Sequence, residues 1–385
     1  MKTVPFGSLC TLRNGRAFKP EEWSDEGTPI IRIQNLNDEK KPFNYCNFEV
    51  EEKFWVNSGD LLFSWSGTPG TSFGAFFWNR GRGFLNQHIF RVDTNEAHVE
   101  KAFLRYALNS LIGKITEQSH GGVGLKHITK EKLENVQIPL PSLPEQRRIV
   151  AILDKTDALR TKRREAIAKL DQLRQSVFLE MFGNPMTNPK SWPIGKISDL
   201  LESAKYGSSE KSDLHGEIPI LRMNNITYSG EINLTDLKYI SSDKAEEKYC
   251  VLPGDILFNR TNSKDLVGKT AVYVGPTPMA YAGYLVRART ANGHAPEYIS
   301  AFLNSSYGKS TLRAMCKSIV GMANINAREF QAISIPIPPC DLQQRFRNYV
   351  TAIGILKRMS ESQADKSDLL FKSLQQKLFV NDGLG

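Results

Sequence analysis

Six short polar loops hold the side chains with which this 385-residue chain can do chemistry. Arg32, Gln34 and Asn35 follow one apolar run, and Arg222, Asn224 and Asn225 follow another. Amides of this kind hydrogen-bond adenine through two atoms at once, although turns at strand ends use the same residues. Behind the segment GDLLF come Ser64, Trp65, Ser66 and Thr68; behind GDILF come Asn259, Arg260, Thr261, Asn262, Ser263, Lys264 and Lys269. The second of these mixes cations with amides and so can address phosphates and base edges together. The third pair is a glycine loop leading to Lys126 and His127, answered by Asn324 and Asn326. There Asn326-x-x-Glu329 is also a helix capping box.

Motifs that would make the chain a catalyst are not legible. No dinucleotide GxGxxG follows a strand, and GGVGLK (121–126) lacks phosphate-loop spacing. There is no Gly-x-Ser-x-Gly elbow and no His-Glu-x-x-His, and the six histidines have no metal spacing. The five cysteines (10, 46, 250, 316 and 340) are scattered, as reduced thiols in a cytoplasmic protein would be. No apolar run is long enough to span a bilayer. The net charge of +9 suits a polyanionic partner. It is spread out, with 17 basic and 16 acidic residues in 1–140 and 17 and 14 in 184–336, so folding must sort the charges onto one face.

The elements that position these loops occur twice. PIIRIQNL (29–36) echoes PILRMNNI (219–226), SGDLLFSWSG (58–67) echoes PGDILFNRTN (253–262), and GGVGLKHITKEKLENVQIPLP (121–141) matches IVGMANINAREFQAISIPIPP (319–339) with Val123 on Val320, Ile128 on Ile325 and Ile138 on Ile335. The offsets are 190, 195 and 197 residues, the mark of a duplicated domain with small length changes inside it. Strands are expected at Pro29–Leu36, Asp60–Trp65, Gly74–Trp78 and Gln87–Val92, with a helix over 99–119. The second copy gives Ile218–Ile226, Asp255–Asn259, Thr270–Val274, Gly283–Arg287 and a helix over Pro296–Lys317.

A long amphipathic helix trails each copy. The first opens at Ser142-Leu143-Pro144-Glu145, a capping box, and stops at Gly183-Asn184-Pro185. Its expected seam is Ile149, Ile152, Leu159, Ala166, Leu170, Leu173 and Val177, interrupted by Thr156 and Arg163. The second, opening at Asp341, offers Phe346, Tyr349, Ile353, Leu356, Leu370 and Leu374. A helix of about 37 residues is about 55 Å long, and pairing with its copy would bury such a stripe. The alternative is that each helix packs on its own domain. The basic run Arg160, Lys162, Arg163 and Arg164 is expected on the solvated side of the pair, with phosphate or partner contact as the alternative. Glu145, Gln146, Arg147 and Arg148 at the helix start are candidates for contact with a partner protein.

The expected fold is mixed α/β: two α/β domains, 1–140 and 184–337, in pseudo-twofold arrangement. They are joined by helical regions 141–183 and 338–385 that form an antiparallel coiled coil.

LPEQRRIVAILDK (143–155), with a helix running to FLEMFGNPMTNPKSWP (178–193), resembles the central conserved region of specificity subunits of Type I restriction–modification systems. GDILFNRTNSKDLVGKT (254–270) resembles a segment of their target-recognition domains. The resemblance covers almost the whole chain. It implies a non-catalytic subunit in which each recognition domain reads one half of a split, asymmetric site on double-stranded DNA, while the coiled coil fixes the gap. It further implies two modification subunits that methylate adenine with S-adenosylmethionine, and restriction subunits using ATP and Mg. It allows self-association of the isolated chain. The second helix departs from the pattern, with Gln344 where the repeat has Arg147. Three other readings stay open on the residues alone: a stand-alone two-module protein that bridges DNA, a coiled-coil interaction hub, and an enzyme with an unrecognised site.

Overall fold

The structure is a computed structural model and describes residues 2–69, 71–117, 126–242, 249–319 and 322–379. The chain forms two compact units: Met1–Arg163 with Gln363–Gly385, and Arg164–Ser362. Each unit holds one globular body and a stretch of both long helices.

In the first unit, alternating apolar residues build a four-stranded antiparallel sheet ordered Cys10–Asn14, Ile89–Thr94, Leu61–Ser64, Gly74–Phe77. Leu61, Phe63, Phe90 and Val92 enter one core with the helix Lys101–Ser110, while Leu62 and Ile89 enter another. That split follows from successive side chains pointing to opposite faces of a strand. A smaller mixed sheet orders Asn44–Cys46, Thr28–Ile31, Gly83–Leu85 and Trp55–Val56, with Ile30 beside Phe84 in a parallel pair. Thr3–Pro5 pairs antiparallel with Gln137–Pro139, closing the body where the chain enters and leaves it.

The second unit repeats this plan. Its four-stranded sheet is Leu201–Tyr206, Leu285–Thr290, Ile256–Asn259, Thr270–Val272. Ile256, Phe258, Val286 and Ala288 face one core, and Leu257 and Leu285 another. Its mixed sheet is Lys238–Ile240, Ile218–Leu221, Met279–Tyr281, Cys250–Val251, and its closing pair is Ile194–Lys196 with Ser334–Pro336.

Several expectations are corrected. The strand read over 29–36 ends at Ile31, and Ile33–Asn37 is a helical turn. The cause is Asn35, whose Oδ1 accepts the Arg32 N–H at 3.1 Å and turns the chain back. Asn225 does the same to Arg222 at 2.9 Å, so the strand read over 218–226 ends at Leu221. The helix read over 99–119 divides at Leu111 into Lys101–Ser110 and Ile112–Glu117. Its counterpart divides at Ser305, whose hydroxyl accepts the Gly308 N–H and starts Ser306–Met315. The strands Cys10–Asn14 and Leu201–Tyr206 were not anticipated.

The long helices are Leu143–Phe182 and Cys340–Phe379, 40 residues each and about 60 Å long. In the first unit Arg160 Nε meets Asp368 Oδ1 at 2.5 Å and Arg163 bonds Gln363, so the two stretches run antiparallel. In the second unit Lys357 Nζ meets Asp171 Oδ1 at 2.7 Å, and the Phe346 ring lies 5.8 and 5.2 Å from those of Phe178 and Phe182, again antiparallel. The helices also enter the bodies' cores: Ile149, Leu153, Phe371 and Phe379 in one unit, Phe178, Phe182 and Phe346 in the other. The seam is not the expected row of leucines. Leu159, Leu173, Leu356 and Leu370 are exposed, as is Tyr349, and the next residue along from each leucine turns inward instead. These are Arg160, Arg174, Lys357 and Phe371, and likewise Ile167 rather than Ala166. Arg160 is thus no solvated charge: it pairs with Asp157 and Asp368 and lies 4.3 Å from the Phe371 ring centroid.

Candidate nucleic-acid interface

Both globular bodies present the ends of the same strands, and two backbone hydrogen bonds define a common frame. In the first, the Trp65 N–H donates to His88 O at 3.2 Å and the Ile128 N–H to Trp65 O at 3.1 Å. In the second, the Arg260 N–H donates to Tyr284 O at 3.0 Å and the Ile325 N–H to Arg260 O at 2.9 Å. Trp65 and Arg260 therefore occupy one position, His88 and Tyr284 another. The ladders add Asn14, opposite Phe90, and Tyr206, opposite Val286. Ser66 pairs with His127 and Thr261 with Asn324, so the second and third sequence loops are joined by short strands in each body.

The frame is shared and its side chains are not. The first body offers an aromatic cluster: Trp65 has His88 at 5.1 Å, Phe90 at 6.0 Å and His127 at 6.2 Å between ring centroids. Trp65 Nε1 donates to Asn14 Oδ1 at 3.4 Å. Burial, and secondarily the His127 charge, hold His88 below the usual imidazole pKa. The second body offers a cation: the Arg260 guanidinium lies 4.8 Å from the Tyr206 ring centroid, with Tyr206 and Tyr284 both exposed. Arg260 Nη1 reaches Gly283 O and Nη2 reaches Asn324 Oδ1, each at a long 3.4 Å, and its Nε is buried without a partner.

The other sequence candidates divide by what they touch. Asn35 and Asn225 are buried, and each donates through Nδ2 to two carbonyls, of Lys41 and Pro42 or of Asn233 and Asp236. Their amides hold turns. Arg32 donates to Asn44 Oδ1 at 2.8 Å and lies over Trp23, Arg222 pairs with Asp236 at 3.0 Å, and half-buried Gln34 reaches Pro42 O at 3.4 Å. Asn224 is exposed. Asn259 is fully buried, and Lys269 donates to Met223 O at 2.8 Å, burial holding its amine below the usual lysine pKa. Ser66 is buried, and Thr68 is exposed with its N–H on Ser72 Oγ. Asn262 accepts the Ser263 N–H, Lys264 is exposed, and Lys126 and His127 are half-buried. Most of the glycine loop before Lys126, 118–125, lies outside the described residues. Asn326 caps the helix Ala327–Gln331 as the sequence suggested.

The four residues at the helix start separate in the same way. Gln146 is fully buried: its Oε1 accepts the Glu100 N–H at 2.8 Å, and its Nε2 donates to Pro141 O and His98 O at 2.9 and 3.0 Å. It latches the helix to its body. Gln343 repeats the latch on the Ala295 N–H and Pro338 O. Arg147 pairs with Glu100 and Arg148 with Glu145. The Glu145 carboxyl is held below its usual pKa by the Arg148 hydrogen bond.

Sequence reasoning missed Asn14, His88, Tyr206 and Tyr284 as members of the frame. The first and third sit on strands that no local pattern announces, and His88 is one of the six histidines without metal spacing. Among the described residues, no group of three or more His, Cys, Asp or Glu can hold a metal ion, and no helix is long and apolar enough to cross a membrane.

Residues 1–170 match the family described as "Type I restriction modification DNA specificity domain". The Type I restriction enzyme EcoBI specificity subunit of Escherichia coli is 22% identical over 98% of this chain and 84% of its own length. The StySPI specificity subunit of Salmonella potsdam is 24% identical over 98% and 87%. The crystal structure of the Type I restriction-modification system S subunit from M. genitalium superposes with a TM-score of 0.61 at 15% identity, covering 99% of this chain and 96% of that one, which shows a shared fold. With a family match over residues 1–170 and relatives aligned along nearly all of its length, the chain is similar throughout to the specificity subunits of Type I restriction–modification systems.

Proposed function

We propose that this chain is a non-catalytic DNA-recognition subunit in which each globular body reads one half of a bipartite, asymmetric site. The observation that carries this reading is the shared frame with unlike side chains. Two readers built alike dock alike on a duplex, and different side chains at matched positions select different bases. The long helices set the number of unread base pairs between the halves. The bases between them act through deformability alone.

In this reading the chain assembles with two modification subunits, which bind S-adenosylmethionine and methylate adenine, and with restriction subunits that use ATP and Mg. The exposed Glu145–Arg148 and Arg147–Glu100 pairs lie at the start of the first helix and offer a charged patch to such a partner. The test is co-production with modification subunits, followed by mapping of methylated adenines. Exchange of residues 1–137 for those of another family member is expected to change one half of the motif and spare the other. A change in both halves, or the lack of any bipartite motif, overturns the reading.

A further inference from the structure

The two bodies differ most where the frame places Trp65 in one and Arg260 in the other. Arg260 is half-buried, yet no carboxylate of the described residues pairs with it. Other arginines of the same unit are neutralised: Arg222 by Asp236, Arg289 by Asp255, Arg313 by Asp265. Its side-chain contacts orient it without saturating it. The Tyr206 ring supports the guanidinium at 4.8 Å, and the two hydrogen bonds, at 3.4 Å, are at the weak limit. Five N–H donors thus have two long contacts and one buried orphan, Nε. A half-buried cation with unmet donors costs stability in the free protein. It is matched by a ligand that brings acceptors.

The chemistry that matches is planar and bidentate. A guanidinium fits the O6 and N7 acceptors of guanine in the major groove, and this is the commonest specific contact between arginine and a base. The exposed Tyr206 ring supports the guanidinium, the carbonyl of exposed Tyr284 accepts the Arg260 backbone N–H, and Asn324 Oδ1 orients Nη2. In the first body the same position holds Trp65, whose indole N–H is directed to Asn14 and which has no acceptor-seeking charge. It meets a base through its ring faces and a single N–H rather than through a charged two-pronged fork.

Building on the recognition reading above, we infer that Arg260 reads a guanine in the half-site of the second body. Asn324 and Tyr206 act as positioning residues, and the equivalent place in the first half-site is contacted by Trp65 without guanine selection. The half-site belonging to the second body is the one that persists when residues 1–137 are exchanged.

The experiment uses the full chain co-produced with its modification subunits and maps methylated motifs for wild type, R260Q and R260K. A guanine is expected at one position of the second half in wild type. R260Q should lose roughly 5- to 150-fold of discrimination at that position alone. R260K keeps the charge and stem but not the fork, and should fail to restore it. If R260Q does not fold, as judged by circular dichroism, R260K carries the same readout. Equal loss at every position, which marks a phosphate contact, overturns the assignment. So does an unchanged motif in both variants, or a second half without guanine. A bipartite motif indifferent to Arg260 overturns this inference alone; a wild-type chain with no bipartite motif overturns the recognition reading and this inference with it.

Discussion

Replacing Gln146 with alanine tests whether the start of the first helix is a latch or a docking patch. The buried Gln146 amide makes three hydrogen bonds, at 2.8, 2.9 and 3.0 Å, to groups before the helix Lys101–Ser110 and at the chain's exit from the body. At about 1 kcal/mol net per bond, truncation should destabilise the first unit by about 3 kcal/mol. The neighbouring R147A removes an ion pair whose side chains are 67% and 33% exposed, and should cost under about 1 kcal/mol. Q343A should weaken the second unit as Q146A weakens the first, because Gln343 makes the equivalent bonds to Ala295 and Pro338. Urea unfolding gives the size of each loss. Amide hydrogen exchange around residues 98–104 and 294–300 shows which unit has been loosened. A Q146A chain with unfolding within about 0.5 kcal/mol of wild type, but with lost methylation in the assembled complex, would refute the latch and restore Gln146 as a partner contact.

Three further outcomes follow from the packing. K357M should destabilise the second unit by about 2 kcal/mol, because it strands Asp171 and Glu231, each bonded to the ammonium at 2.7 Å; a triple variant with D171N and E231Q should recover most of the loss in the same urea titration. Acidification from pH 7 to 5 should weaken the first unit: His88 is held below the usual imidazole pKa, so the unfolded chain takes up its proton first and stability falls as pH drops. H88N should flatten that slope in thermal melts, and an unchanged slope would show that His88 is not its source. G15A and G207A should each cost about 1–3 kcal/mol, since the new Cβ would lie 2.1 Å from Asn86 O or 2.3 Å from Tyr281 O, whereas G113A, with open space around it on a helix, should be neutral or stabilising.

The duplication was legible because its motifs recur with nearly constant spacing, and it brought fold class and domain order with it. The coiled-coil register was not, and the reason is specific. Leu159, Leu173, Leu356 and Leu370 are apolar but sit one residue off the inward positions, which carry Arg160, Arg174, Lys357 and Phe371. Burial of long cations beside carboxylates and rings reverses what hydropathy alone suggests. Asn35 and Asn225 stay open between base contact and turn polarity in the sequence, because nothing local marks an amide that folds back on its own turn. The reading frame itself depends on strand registers such as Phe90 with Asn14, and no local pattern announces those. The loops behind GDLLF and GDILF were the exception. Their polarity after a buried strand marks the strand ends at which the shared frame places Trp65 and Arg260.

The two short antiparallel pairs that close the bodies, Thr3–Pro5 with Gln137–Pro139 and Ile194–Lys196 with Ser334–Pro336, give each body a single doorway. Loops between the doorposts can lengthen, shorten or be replaced without tugging on the helix beyond, provided the groups that meet Gln146, Gln343 and the helix rings are kept. The uneven offsets between the repeats, 190, 195 and 197, are the trace of such drift absorbed inside the room. New sequence preferences can therefore arise as cassettes inherited whole, while the rest of the machinery meets an unaltered threshold.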